Sequence, residues 1–172
     1  LLFETGMERM CDVTWLLYVS REEQFRRIAA RDGLGAQAGA VEFARDVLGI
    51  ADADSREFDK KTPHPVICGG TGAFKKGGHM TKITGGSLLK EAYGSDTVRM
   101  RHRHRFEINP DYAAAFAGAG LAVTGVSDEG FIDAYELPAN KFWMGVVFQP
   151  EFNAKVGNPD KLIRLFLSAC VK

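Results

Sequence analysis

A chain of 172 residues, 45% hydrophobic and 26% charged, is long enough for one domain with a sizeable core. Its 22 basic residues balance 22 acidic ones, so no charge excess points to nucleic acid or an anionic membrane surface, and no apolar run approaches the ~20 residues that span a bilayer. Cys11, Cys68 and Cys170 are scattered without CxxC spacing, which argues against a disulfide framework or zinc site and fits a reducing, cytoplasmic setting. The sequence shows no signal-peptide pattern, and it opens on leucine, as a fragment or processed chain would.

Val13 to Val19, VTWLLYV, is a continuous apolar run that predicts a strand buried on both faces, as in a parallel sheet. Ser20 opens a helix through about Arg31, with SREE as a capping box. A break at DGLG precedes a second helix, about Ala36 to Leu48, ended by Gly49. Residues 51 to 63 read as a polar loop, and Pro65 to Cys68 as a short strand. The glycine-rich stretch from Gly69 to Gly86 reads as a flexible loop, with a strand only near Met80 to Thr84. A short helix is expected at Ser87 to Tyr93, a strand at Thr97 to Ile108, and a helix from Pro110 to Ala119. Strands follow at Leu121 to Ser127, Phe131 to Leu137 and Phe142 to Phe148, and a last helix runs from Asn158 to Ala169. The alternation predicts an α/β sheet with an antiparallel patch near residues 121 to 148.

The densest chemical feature is MRHRHRFEINPDY, residues 100 to 112. On a strand, Arg101, Arg103 and Arg105 share one face and His102 and His104 the other. Three readings compete: a metal pair that lacks a nearby carboxylate or cysteine, a phosphate or RNA strip that lacks interleaved aromatics, and a structural strand whose Arg and His groups pair with loop carboxylates or hold a polar ligand. GGTGAFKKGGHM invites a phosphate-loop reading but lacks the Gly-Lys-Ser/Thr that runs into a helix. In DGLGAQ the turn before a helix has the form of a nucleophile elbow, yet Gly33, Leu34, Gly35 and Ala36 supply no nucleophile. The strand near the C-terminus finishes on Gln149-Pro150-Glu151, where α/β enzymes usually keep their chemistry.

Taken in order, GLGAQ…VEFARDVLG, SREFD, TPHPVI, RHRHRFEINPDY, AGLAVTGVSDEG and FWMGVVFQPEF make the chain from about residue 33 to 169 resemble the glutamine amidotransferase domain of the CTP synthase family, a class I triad glutaminase. The resemblance implies a flavodoxin-like, class I amidotransferase sheet with flanking helices, mostly parallel with an antiparallel patch, and truncated on its N-terminal side. It also implies roles. In the family a cysteine attacks the side-chain amide of glutamine, a histidine is its base, and a glutamate orients the histidine. Carried across, the cysteine position is Gly33 and the histidine position is Gln149, so only Glu151 of the triad remains. The family's glutamine-holding residues match Gln37, Glu57, Arg105 and Phe106, although the family prefers tyrosine at 106. The family places a buried strand directly before the elbow, whereas FRRIAAR here is basic and helical. Neither the family's upstream glycine loop nor its synthetase domain matches any part of these residues.

Residues 1 to 34, through LLFETGMERMCD and YVSREEQFRRIAARDGL, instead resemble an internal segment of dephospho-CoA kinase. A single domain over residues 1 to 172 is therefore expected to join two pieces at the shared Gly33-Leu34. The resemblances imply an amidotransferase-like domain that has lost its chemistry and keeps a pocket for a glutamine-like molecule. No cofactor, metal, nucleic acid or membrane is expected. A homodimer is expected through the N-terminal third, with Val13 to Val19 inserted in the sheet. Two alternatives stand beside it: altered hydrolysis using Cys68 and His79, and a chimeric, structural or interaction protein with no ligand. Ligand-dependent stabilisation separates the first reading from the last.

Overall fold

The computed structural model describes residues 34 to 170. The expected strand at 13 to 19, the helix from Ser20, Gly33, and the whole dephospho-CoA-kinase-like segment before it lie outside the described residues. Helix α1 (Leu34–Asp46) places Ala36, Ala40, Val41, Phe43 and Ala44 against the sheet. Alanines at intervals of four leave a flat stripe, so the helix approaches closely and packs on Val66, Ile67, Ile108, Ile132, Tyr135, Trp143 and Val147. After α1 the chain turns through Gly49, whose φ of 72° suits a residue without a Cβ. The Arg45 Nε–H then donates to the Ala53 carbonyl at 2.7 Å, tying α1 to the strand that follows.

The strands are β1 (Ala53–Ser55), β2 (His64–Cys68), β3 (Lys75–Ile83), β4 (Thr97–His104), β5 (Glu107–Ile108), β6 (Ala122–Ser127), β7 (Ile132–Glu136) and β8 (Met144–Val146). They form one eight-stranded sheet in the order β1-β2-β5-β7-β6-β3-β4, with β8 on β7. Among the described residues only β1 and β2 pair in parallel, and the other pairings are antiparallel. The antiparallel part therefore extends beyond the expected patch at 121 to 148 to take in β3, β4 and β5. Strand β7 is buried along its whole length and is central. Helices α2 (Leu88–Tyr93), α3 (Ala113–Gly118) and α4 (Lys161–Cys170) complete the fold. Ala134 on β7 joins a second core with Leu89 of α2 and Leu162 and Phe166 of α4, while its neighbour Tyr135 belongs to the α1 core. The sheet thus carries helices on both faces.

Three expectations change. The polar loop at 51 to 63 contains β1, too short to show a period. The flexible loop at 69 to 86 contains β3, which pairs with β4 from Lys75↔His104 to Lys82↔Thr97. That long ladder holds Gly77 and Gly78 in a strand against their own weak preference. The single strand at 97 to 108 is two, broken at Arg105 and Phe106 because β4 pairs with β3 whereas β5 pairs with β2 and β7. The short helix after Ser87 is as expected: the Ser87 Oγ accepts from the Lys90 amide at 3.0 Å, and Gly94 closes it in the left-handed region. The expected helix at 110 to 119 opens with a 3-10 turn, Pro110–Tyr112, whose first amides are capped by Asn109. Helix α4 starts at Lys161, where Asp160 Oδ1 accepts from the Leu162 amide at 2.9 Å. No helix among the described residues is long and apolar enough to cross a membrane.

Candidate functional site

The end of β8, the first turn of α1 and the corner between β4 and β5 carry most of the expected site residues. Beyond β8, Val147 and Phe148 are buried, and the chain enters a 3-10 turn at Pro150–Asn153. Gln149 caps that turn and is only 4% exposed. Its amide N–H donates to the Arg101 carbonyl at 2.9 Å, which fixes the strand end on β4. Its side-chain Oε1 is buried and has no hydrogen-bond partner among the described residues. A buried carbonyl left unpaired costs about 1–3 kcal/mol. Glu151 lies exposed on the turn.

Two buried side chains pin the first turn of α1. The Tyr135 hydroxyl donates to the Ala36 carbonyl, and the Gln37 Nε2 donates to the Phe106 carbonyl. Gln37 is 4% exposed and Phe106 half-buried, so the helix and the β4–β5 corner meet through an amide–carbonyl contact inside the protein. Arg105 is exposed, with its guanidinium carbon 5.7 Å from the centre of the Phe74 ring. Glu57 is half-buried in the turn after β1, where its amide donates to Ser55 Oγ at 3.1 Å. Of the expected glutamine-holding residues, Gln37 and Phe106 are in direct contact and Arg105 adjoins them. Glu57 stands at the end of a different strand. Gly33, expected at the cysteine position, falls just before the described residues.

The alternation expected on β4 is present: Met100, His102 and His104 are buried while Arg99, Arg101, Arg103 and Arg105 are exposed. The arginine face borders an open cleft of about 420 Å3 shared with Phe74, Lys76 and Phe152. On the inner face, His102 lies opposite Gly77, and its ring centre is 5.5 Å from that of His79 and 5.2 Å from that of His104. Burial first, then the charges of His104, Lys75 and His79, hold its pKa down to about 3, so it is a neutral ring at ordinary pH. The His104 Nε2 lies 2.9 Å from Glu107 Oε2. Among the described residues no three His, Cys, Asp or Glu side chains come together to hold a metal ion. Cys68 ends β2 and His79 sits on β3, strands that do not pair.

One buried group escaped the sequence reading. Lys75, 8% exposed, has its Nζ 3.2 Å from Glu107 Oε1 and 3.2 Å from Glu129 Oε2. Burial alone would lower its pKa, but Asp133, Glu107 and Glu129 together raise it, so it stays charged. Asp133 is fully buried, accepts from the Thr81 hydroxyl at 2.6 Å, and is pushed by burial up to about 6. A lysine in a glycine-rich stretch reads as a surface residue, and no local period marked it as buried.

Residues 33–169 match the glutamine amidotransferase class-I family. CTP synthase of Bacteroides thetaiotaomicron is 41% identical over 151 residues, covering 81% of this chain and 28% of that protein. CTP synthase of Saccharolobus solfataricus is 38% identical over 146 residues, covering 78% and 27%. Among solved structures, the glutaminase domain of Trypanosoma brucei CTPS with bound acivicin superposes with a TM-score of 0.75 at 30% identity, covering 80% of this chain and 57% of that chain. A GMP synthase-type protein of Thermoplasma acidophilum, at 13% identity and a TM-score of 0.52, shares the fold alone. The chain thus spans under a third of the length of the curated relatives it matches.

Proposed function

Because the chain belongs to the class-I glutamine amidotransferase family, and its domain is CTP synthase-like, we propose that it holds a glutamine-like molecule without hydrolysing it. The observation that carries this reading is Gln149: a neutral amide, buried to 4% exposure, at the strand end where the resemblance puts the general base. An amide has no basic lone pair at accessible pH, so it takes no proton from a nucleophile. Gly33, at the nucleophile's place, has no side chain to attack with, and loss of either group costs orders of magnitude in rate. The same strand end supports retained binding. Gln149 Oε1 is an acceptor with no partner among the described residues, and a primary amide brings two N–H donors. Arg105 offers a guanidinium suited to a carboxylate, on a corner that Gln37 holds to α1.

That the family match begins at residue 33 supports a separate origin for residues 1 to 34. The test is calorimetric titration with glutamine beside an ammonia-release assay on the intact chain. Saturable binding with no ammonia above the buffer blank is the expected pair of results. Ammonia release abolished by Glu151→Ala would overturn the inactive reading. Absence of both heat and a melting-temperature rise in millimolar glutamine would overturn the pocket.

A further inference from the structure

The corner at Arg105 and Phe106 joins two strands that have different neighbours, so no shared ladder sets its path. It is closed instead from inside. His104 and Glu107 flank the two corner residues, and their side chains meet across it at 2.9 Å. The second Glu107 oxygen is 3.2 Å from Lys75 Nζ, on the first residue of β3. All three are buried, at 7%, 5% and 8% exposure. Gly70 passes on the remaining side: a Cβ there would lie 2.8 Å from Glu107 Cγ, and its φ of 52° favours glycine. The corner also carries the Phe106 carbonyl that receives Gln37, and Arg105 over Phe74.

We propose that Glu107 is a positioning residue for the ligand corner: anchored by Lys75 and His104, its carboxylate sets the direction of the chain at Arg105 and Phe106 and so the place where α1 docks through Gln37. This rests on reading the corner as part of a glutamine-type pocket. What the corner needs from Glu107 is reach to two anchors at once. Glutamine keeps that reach, because its Oε1 accepts from Lys75 and its N–H donates to His104 in the other ring tautomer. Aspartate keeps the charge but is shorter by one methylene and cannot hold both anchors.

Glu107→Asp and Glu107→Gln are therefore compared by calorimetric titration with glutamine, by melting temperature, and by hydrogen exchange across residues 100 to 112. Glu107→Gln is expected to stay close to the parent in affinity and exchange. Glu107→Asp is expected to weaken glutamine binding roughly tenfold, a loss typical of small misplacement, with faster exchange confined to the corner and the first turn of α1. If Glu107→Asp does not fold, Lys75→Met removes one anchor and carries the same expectation. A lower melting temperature with unchanged affinity and corner exchange would show a purely structural role and overturn the proposal. So would loss of binding in Glu107→Gln with retention in Glu107→Asp, since charge rather than reach would then matter. If the parent chain binds no glutamine, the pocket reading falls, and the exchange comparison still decides whether Glu107 sets the corner.

Discussion

Gly145 on β8 lies under the ring of Tyr135, and filling its missing side chain tests how the site is held. A Cβ at this position would sit 2.5 Å from Tyr135 Cζ, 2.6 Å from its hydroxyl oxygen and 2.8 Å from Cε2. Carbon atoms settle at about 3.5–4.0 Å, so in Gly145→Ala the ring must move by roughly 1 Å. Tyr135 is 1% exposed and packs on Trp143 with ring centres 5.7 Å apart, so the shift is resisted by a full core. The same movement pulls the hydroxyl from the Ala36 carbonyl and frees the first turn of α1. Overpacking costs about 1–3 kcal/mol and a stranded buried hydroxyl about 1–3 more. The usual gain from replacing a strand glycine returns roughly 0.5–1 kcal/mol. The net expectation is about 3 kcal/mol, or a fall in Tm of about 6–12 °C for a chain of this size. Urea unfolding followed by circular dichroism measures it, with Tyr135→Leu as the background that removes the clash. A cost below about 1 kcal/mol in Gly145→Ala, or an equal cost in both backgrounds, would refute the packing argument.

Two buried groups should tilt the pH dependence of stability in opposite directions. Asp133 keeps its proton to about pH 6 when folded and loses it near ~3.9 when unfolded, so its contribution falls as pH rises from about 4 to about 6. Thr81, Lys75, Glu107 and His104 surround it, so the measurement is the difference between the parent and Asp133→Asn, which should lack that decline. His102, with its folded pKa near 3, refuses a proton that the unfolded chain accepts below ~6.5, so its contribution falls as pH drops through that window. His102→Leu should flatten the acid limb, and its absence of effect on that limb would show that the ring is not excluded from protonation. Placing cysteine and histidine at the two proposed triad positions, Gly33→Cys with Gln149→His, should give no burst of ammonia, because Phe25 to Arg31 reads as a basic helix where a buried strand would hold the nucleophile turn; a burst would correct that reading. Sedimentation equilibrium at micromolar concentration should find a dimer that Trp15→Asp dissociates, and a folded monomer in the intact chain would remove the proposal.

Much of this protein was legible in its residue order. The period of two along residues 101 to 105 set the arginines on one face and the histidines on the other, because successive strand side chains must point to opposite faces; the sheet then turned the histidines inward. The helical stretch from about Ala36 to Leu48 with Gly49 after it, and the short one opened by Ser87, marked α1 and α2 for equally local reasons, since caps and periods are complete within a turn or two. The polar ending of an apolar strand marked Gln149 from the residue order alone. Tertiary structure alone decided that Gly77 and Gly78 lie in a strand, because the ladder that holds them belongs to β4, far along the chain. It alone broke the basic strand at Arg105 and buried Lys75 between Glu107 and Glu129. A buried charge persists only with partners in place, and those partners sit 32 and 54 positions further on, from 75 to 107 and from 75 to 129. The same holds for Gly145, whose empty side takes its meaning from the tyrosine that the sheet lays across it.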